Sequence, residues 1–242
     1  MDEMIYLRQG ATYELQAAEQ NGQKEISMDA GDYLLYFVYV FSTIFVIVNP
    51  IEATMVYVTL TIGLPPLEKS RIYKRATLVA FIIAILFAMA GDLVLRLFGI
   101  TTDSLSVAGG VLLFLVAIDM LRGVHQQKKV TEEELKDANS REDISVFPLA
   151  TPLLTGPGAI TTVVVLMGSA GSIAEKSIVI IGIVLTYTVT LIVLKFSDYF
   201  DRVLGITGVM VLNRLMGLIL GAVAVNFVAV GAWNLYQSMA GG

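Results

Sequence analysis

The 242-residue chain contains no cysteine and a single histidine, His125. The first absence excludes thiol–disulfide chemistry and thiolate metal sites. The second leaves no imidazole cluster for a transition-metal centre, and His125, in a polar stretch, is expected to be a solvated loop residue. Charge is also scarce: 15% of residues are charged, with 16 Lys and Arg against 21 Asp and Glu. No basic surface for nucleic acid follows from that balance. The net charge of −5 lies wholly in residues 1–32, where seven acids face two bases. That segment has no long apolar run near its start, so a secretory signal peptide is not expected there. It reads as a polar lead-in with a short helix around Thr12–Glu19. No nucleophile and base stand at a spacing that marks an enzyme, so neither catalysis nor a cofactor or metal is expected.

What the chain does have is apolar length. It is 56% hydrophobic, with a mean hydropathy of +0.75, the composition of an integral membrane protein. At about 20 residues per span, six spans are expected: Tyr33–Gly63, Ala76–Phe98, Ser104–Leu121, Val146–Ala170, Ser177–Leu194 and Thr207–Tyr236. The expected organisation is a polar segment over 1–32, a three-helix unit over 33–122, a linker over 123–145 and a second three-helix unit over 146–242.

Proline is rare, with six in the chain, and two of the six interrupt long spans. One interruption is Asn49-Pro50-Ile51-Glu52, the other Thr155-Gly156-Pro157-Gly158. Proline lacks a backbone N–H and clashes with the preceding helical turn. In lipid such a break is tolerated only where protein or a water-filled cavity satisfies the freed groups. Both segments also read as helix starts. Asn49 is a good N-cap, Pro50 suits the first helical position and Glu52 can reach back as in a capping box. Thr155 or Gly156 caps the second start, with Pro157 first. Two half-helices over 50–63 and 157–170 would therefore begin inside the membrane, with unpaired N–H groups and positive dipole ends. Such ends suit an anionic group, such as the carboxylate of a small amino acid. The expected binding residues are Asn49, Pro50, Ile51, Glu52, Ala53 and Thr54, with Gly156, Pro157, Gly158, Ala159, Ile160, Thr161 and Thr162. A Pro kink that only serves packing is the plainer alternative.

The two breaks belong to an internal repeat. At an offset of 107 residues, Pro50 meets Pro157, Thr54 meets Thr161, and Glu68-Lys69-Ser70 meets Glu175-Lys176-Ser177. At 106, Asp92, Arg96 and Gly99-Ile100-Thr101 meet Asp198, Arg202 and Gly205-Ile206-Thr207; at 107 again, Gly110 meets Gly217 and Asp119 meets Asn226. An odd number of spans per unit makes the second unit enter from the opposite side, an inverted repeat. The expected fold is thus an all-α membrane protein of six transmembrane helices in two inverted three-helix repeats, with helices 1 and 4 broken. Counting Lys and Arg, eleven fall on the side of the 1–2, 3–4 and 5–6 loops and four on the other, with Arg214 inside span six. The bases mark the cytoplasmic side, so both termini are expected outside and the 3–4 loop is a cytoplasmic link.

Ionisable groups at membrane depth are functional candidates by default. Glu52 would meet a substrate ammonium, carry a coupling proton or only cap its helix. Asp119 forms a local pair with Arg122 or faces a pathway, and Asn226 lines a path. Asn213 and Arg214 lie about 10 Å into span six by helical rise. Arg214 pairs with Glu52 or Asp119, or snorkels to the surface. Asp92/Arg96 and Asp198/Arg202 read as i,i+4 salt bridges. Gly109, Gly110, Gly217 and Gly221 read as close-packing positions.

Several segments carry a resemblance: Asn49-Pro50, Phe98-Gly99-Ile100-Thr101, Ala108-Gly109-Gly110-Val111-Leu112-Leu113-Phe114-Leu115, Ile118-Asp119-Met120-Leu121, and Pro148 to Thr162 with its Gly-Pro-Gly-Ala-Ile-Thr-Thr core. Over about residues 33–240 the chain resembles the MarC family, within the LysE-type transporter group. The resemblance implies a six-span inner-membrane protein. It also implies transport of small neutral amino acids such as glycine and alanine, coupled to protons or another cation. Glu52 departs from the family pattern, which commonly has a small residue two positions after the first Pro. The expected function is a secondary transporter working by alternating access, with the bilayer, a small amino acid and a coupling proton or monovalent cation as partners and a homo-oligomer as a further possibility. A channel lined by half-helix ends, or an exporter of another small solute, is the alternative.

Overall fold

A computed structural model describes residues 29–123 and 154–240. The expected helix at Thr12–Glu19, His125, most of the 123–145 linker and the first part of the fourth span lie outside the described residues. The described residues form seven helices in order: α1 Ala30–Val48, α2 Pro50–Leu60, α3 Pro66–Phe98, α4 Thr102–Arg122, α5 Pro157–Ser169, α6 Ile173–Lys195 and α7 Ser197–Ala240. No strand occurs among the described residues. Among the described residues five stretches are long and apolar enough to cross a membrane: Ala30–Leu60, Pro66–Phe98, Thr102–Arg122, Ile173–Lys195 and Thr207–Ala240. The shorter apolar α5 is the second half of the expected fourth span.

The chain divides into two compact units, Met1–Leu35 and Tyr36–Gly242. Within the first, the described residues are the start of α1, where the Ala30 N–H donates to Asp29 Oδ1 at 2.7 Å.

Helix limits follow local chemistry. Thr101 caps α4 by accepting from the Ser104 N–H at 3.1 Å. Ser172 caps α6 by accepting from the Glu175 N–H at 3.2 Å, while its hydroxyl donates to Glu175 Oε1 at 3.0 Å, a variant of the capping box. Gly99 and Gly123 end α3 and α4 in the left-handed region, with φ of 65° and 70°, where a Cβ is penalised. Gly205, with φ 57° and ψ 179°, interrupts α7 before its long apolar part.

Helix α3 shows how the interior is built. Ala76, Ala80, Ala84 and Ala88 form one buried stripe, extended by Gly91, where a Cβ would come within 2.7 Å of Val164. The opposite face carries Leu78, Ile82, Leu86, Met89, Leu93 and Leu97, all exposed. Small residues inside and large apolar ones outside suit a helix whose solvent is lipid. The stripe admits α5 and α6 close to α3. Elsewhere α4 packs along α7, α4 packs on α5, and α2 lies against α7 and α6. Two apolar clusters result, one around Ile44, Ile183, Val163 and the α3 stripe, the other around Leu113, Ala117, Leu220 and Phe227.

Candidate functional site

The first break occupies a single residue. The Asn49 N–H still donates to Phe45 O at 3.0 Å, closing α1. Asn49 itself turns into the left-handed region, φ 47° and ψ 67°, the only non-glycine residue with positive φ among the described residues. Asparagine tolerates that region better than most side chains. The Asn49 side chain then serves both directions. Its Oδ1 accepts from the Glu52 N–H at 3.4 Å, and its Nδ2 donates to Glu52 Oε2 at 2.8 Å. The same Nδ2 also reaches Asn213 Oδ1 on α7 at 3.4 Å. All three residues are buried: Asn49 is 6% exposed, Glu52 5% and Asn213 5%. The expected cap is present, but Glu52 meets the side chain of its cap residue. A buried carboxylate is costly unless hydrogen-bonded, and the Asn49 amide supplies one such bond.

The second break is held differently. Gly156, with φ −72° and ψ 175°, is the N-cap of α5, and no side chain caps that start. Thr155, expected as a possible cap, donates its hydroxyl to the Ala80 carbonyl at 3.2 Å instead. Ala80 exposes that carbonyl because its side chain is a single methyl. Tyr187 on α6 donates to Leu154 O at 3.1 Å and lies 3.4 Å from Thr155 Oγ1. The Leu154 carbonyl before Pro157 is thus answered from a neighbouring helix, as a break at membrane depth requires.

The set of amides open to an anion is narrower than expected. The Glu52 and Ala53 N–H groups donate to Asn49, through Oδ1 and the backbone carbonyl. That of Ile160 donates to Gly156 O at 3.1 Å. Ile51, Gly158 and Ala159 remain as the first-turn donors ahead of those bonds. The two breaks also approach each other: a Cβ on Gly158 would lie 3.8 Å from Ile47 Cγ2, two residues before Asn49, and 2.9 Å from Leu113 Cδ2.

The other expected residues separate. Thr54 bonds back to Pro50 O at 2.9 Å, which is local helix chemistry. Thr161 sets its methyl against Gly109, so closely that no Cβ fits there. Thr162 is buried with its hydroxyl lacking a hydrogen-bond partner. Asp119 is half-buried near the end of α4, and Arg214 is exposed on α7. Asn226, expected to line a path, is exposed on α7, next to Tyr39. The Asp92–Arg96 pair forms at 2.9 Å. Asp198, expected to pair with Arg202, lies 3.8 Å from Lys69 Nζ at the start of α3. Sequence reasoning missed Tyr187, Ala80 and the Asn49–Asn213 contact. The regular Ala stripe was a usable signal for Ala80, and a tyrosine in the middle of an apolar span was one for Tyr187.

Residues 34–236 match the family described as MarC family integral membrane protein. The chain belongs to the MarC family. A UPF0056 membrane protein of Methanocaldococcus jannaschii is 41% identical over 199 residues, 82% of this chain and 96% of that protein. One from Bacillus subtilis is 34% identical over 202 residues, covering 83% and 96%. One from Escherichia coli is 31% identical over 208 residues, covering 86% and 96%. No solved structure matches the chain. MarC membership and the apolar helices together make this an integral membrane protein.

Proposed function

We propose that this MarC family member is a secondary transporter of small neutral amino acids such as glycine and alanine. Uptake would be coupled to a proton or monovalent cation and would proceed by alternating access in the cytoplasmic membrane. The observation that carries the reading is the pair of adjoining helix breaks, one holding a buried carboxylate in the Asn49–Glu52–Asn213 group, the other presenting uncapped amides at Gly158 and Ala159. A zwitterion has matching needs: a carboxylate for the amides of a helix start and an ammonium or accompanying cation for Glu52. The tight surroundings of Gly158 favour a substrate with little side chain.

The inverted repeat is part of the same proposal, and reciprocal packing supports it. At an offset of 107, α4–α5 contacts answer to α7–α2, and α3–α5 answer to α6–α2; both members of each pair occur. A Cβ on Gly110 would approach Ala224 O at 2.8 Å and Val228, while one on Gly217 would approach Ala117 O at 3.2 Å and Leu121. Each of those neighbours is the other's mate at 107. Two such arrangements of similar energy are what alternating access needs. On this reading the basic loops face the cytoplasm.

The test is exchange in vesicles. Proteoliposomes loaded with unlabelled glycine should accumulate labelled glycine in a saturable manner, and alanine should compete. Single-channel current steps without counterflow would instead mark the pore reading.

A further inference from the structure

A second feature lies between α3 and α6. Helices α3 and α6 leave an open cleft of about 400 Å³ between them, lined mainly by apolar atoms. That is within the usual range of small-molecule sites, about 300–1,000 Å³. Its walls include Phe81 and Val184, and Val184 is 44% exposed on the outer face, so the cleft opens where lipid would lie. Two polar features stand out on α3. Lys74 lines one end and is exposed, and among the described residues no salt bridge engages it. Thr77, one turn further along, lines the cleft at 3% exposure, and its hydroxyl has no hydrogen-bond partner. A buried hydroxyl without a partner is destabilising, so an acceptor there would be favoured.

We infer that this cleft binds an anionic membrane phospholipid. The phosphate sits at Lys74, an ester carbonyl accepts from Thr77, and one acyl chain lies between Phe81 and Val184. Charge selects the occupant. Lys74 belongs to the run Lys69, Arg71, Lys74 and Arg75 at the start of α3, and Lys69 is turned to Asp198. Basic groups between transmembrane helices are recognised settings for anionic headgroups. The length also fits. Lys74 to Phe81 spans about 10 Å of helix, which takes the chain from a charged rim into the hydrocarbon. Tyr187 forms part of the wall and holds the Leu154 carbonyl at 3.1 Å. The lipid would therefore rest against the side chain that supports the second break. The inference does not depend on what the protein transports.

The test is native mass spectrometry of the full chain, equilibrated in micelles with equal amounts of phosphatidylglycerol and phosphatidylcholine. The unmodified protein should retain phosphatidylglycerol at least fivefold over phosphatidylcholine. Lys74→Gln should bring the two to parity, and Thr77→Val should weaken retention about threefold. Val184→Trp, which fills the cleft, should lose both adducts. Lys176→Gln, at the far end of α6, should change nothing. Equal retention of both lipids by the unmodified protein would overturn the assignment, as would a preference that survives Lys74→Gln. Because Lys74 is exposed, that variant keeps the test decisive even if Val184→Trp proves unstable.

Discussion

Asn49 carries two tasks in one side chain, a left-handed turn and a cap. Replacing it separates them. Asn49→Ala loses the cap and places a Cβ-bearing residue without side-chain compensation at φ 47°, so a loss of about 1–2 kcal/mol is expected. Asn49→Gly keeps the turn and should cost only a few tenths of a kcal/mol through the cap itself. Thermal unfolding in detergent should rank them in that order. Glu52→Gln tests the neighbouring group. Glutamine can still accept from Asn49 Nδ2, so folding should persist, while the dependence of uptake on pH or on the driving cation should disappear. An unchanged pH profile in reconstituted vesicles would remove Glu52 from coupling. The first cap was legible in the sequence because its signals are local: Asn, then Pro, then Glu within four residues. The partner Asn213 was not, because it lies 164 positions away on a helix whose rotation no local pattern fixes.

At the scale of elements, apolar length placed the ends at Phe98, Leu121 and Leu194 within one residue but began two helices late, at Ala76 and Ser177 against Pro66 and Ile173, because their first turns are polar. The second break was read in the right place, and of its two cap candidates Gly156 takes the position. Thr155 is a strong cap residue by type, yet it serves Ala80 because α3 comes close enough to offer a carbonyl. Tyr187→Phe removes the bond to Leu154 O and should destabilise by about 1 kcal/mol, read as a lowered midpoint of thermal unfolding. Close packing of α4 on α7 gives a graded prediction. Gly110→Ala places a methyl 2.8 Å from a backbone carbonyl, whereas Gly217→Ala places one at 3.2 Å. Backbone does not yield as a side chain does, so Gly110→Ala should cost about 1–3 kcal/mol and Gly217→Ala clearly less. Equal costs would argue against this packing.

At the scale of the whole molecule, the repeat was visible because charged and turn residues recur in order at an offset near 107. The reciprocal approach of Gly110 and Gly217 to each other's units came only from the packing. The chain's lack of cysteine makes its topology directly measurable. Ser70→Cys and Ser177→Cys occupy mated positions at the 107 offset, and the proposed inversion of the units would place them on opposite faces of the membrane. An impermeant thiol reagent applied to intact cells should label Ser177→Cys and spare Ser70→Cys. Function rests on a further step, that the paired breaks form one site for a small zwitterion. The measurement closest to that claim is counterflow of labelled glycine in proteoliposomes, comparing the unmodified protein with Gly158→Leu. The account predicts saturable counterflow that the leucine abolishes while the variant remains folded. Counterflow equal in both proteins, or none with either glycine or alanine in the unmodified one, would contradict it.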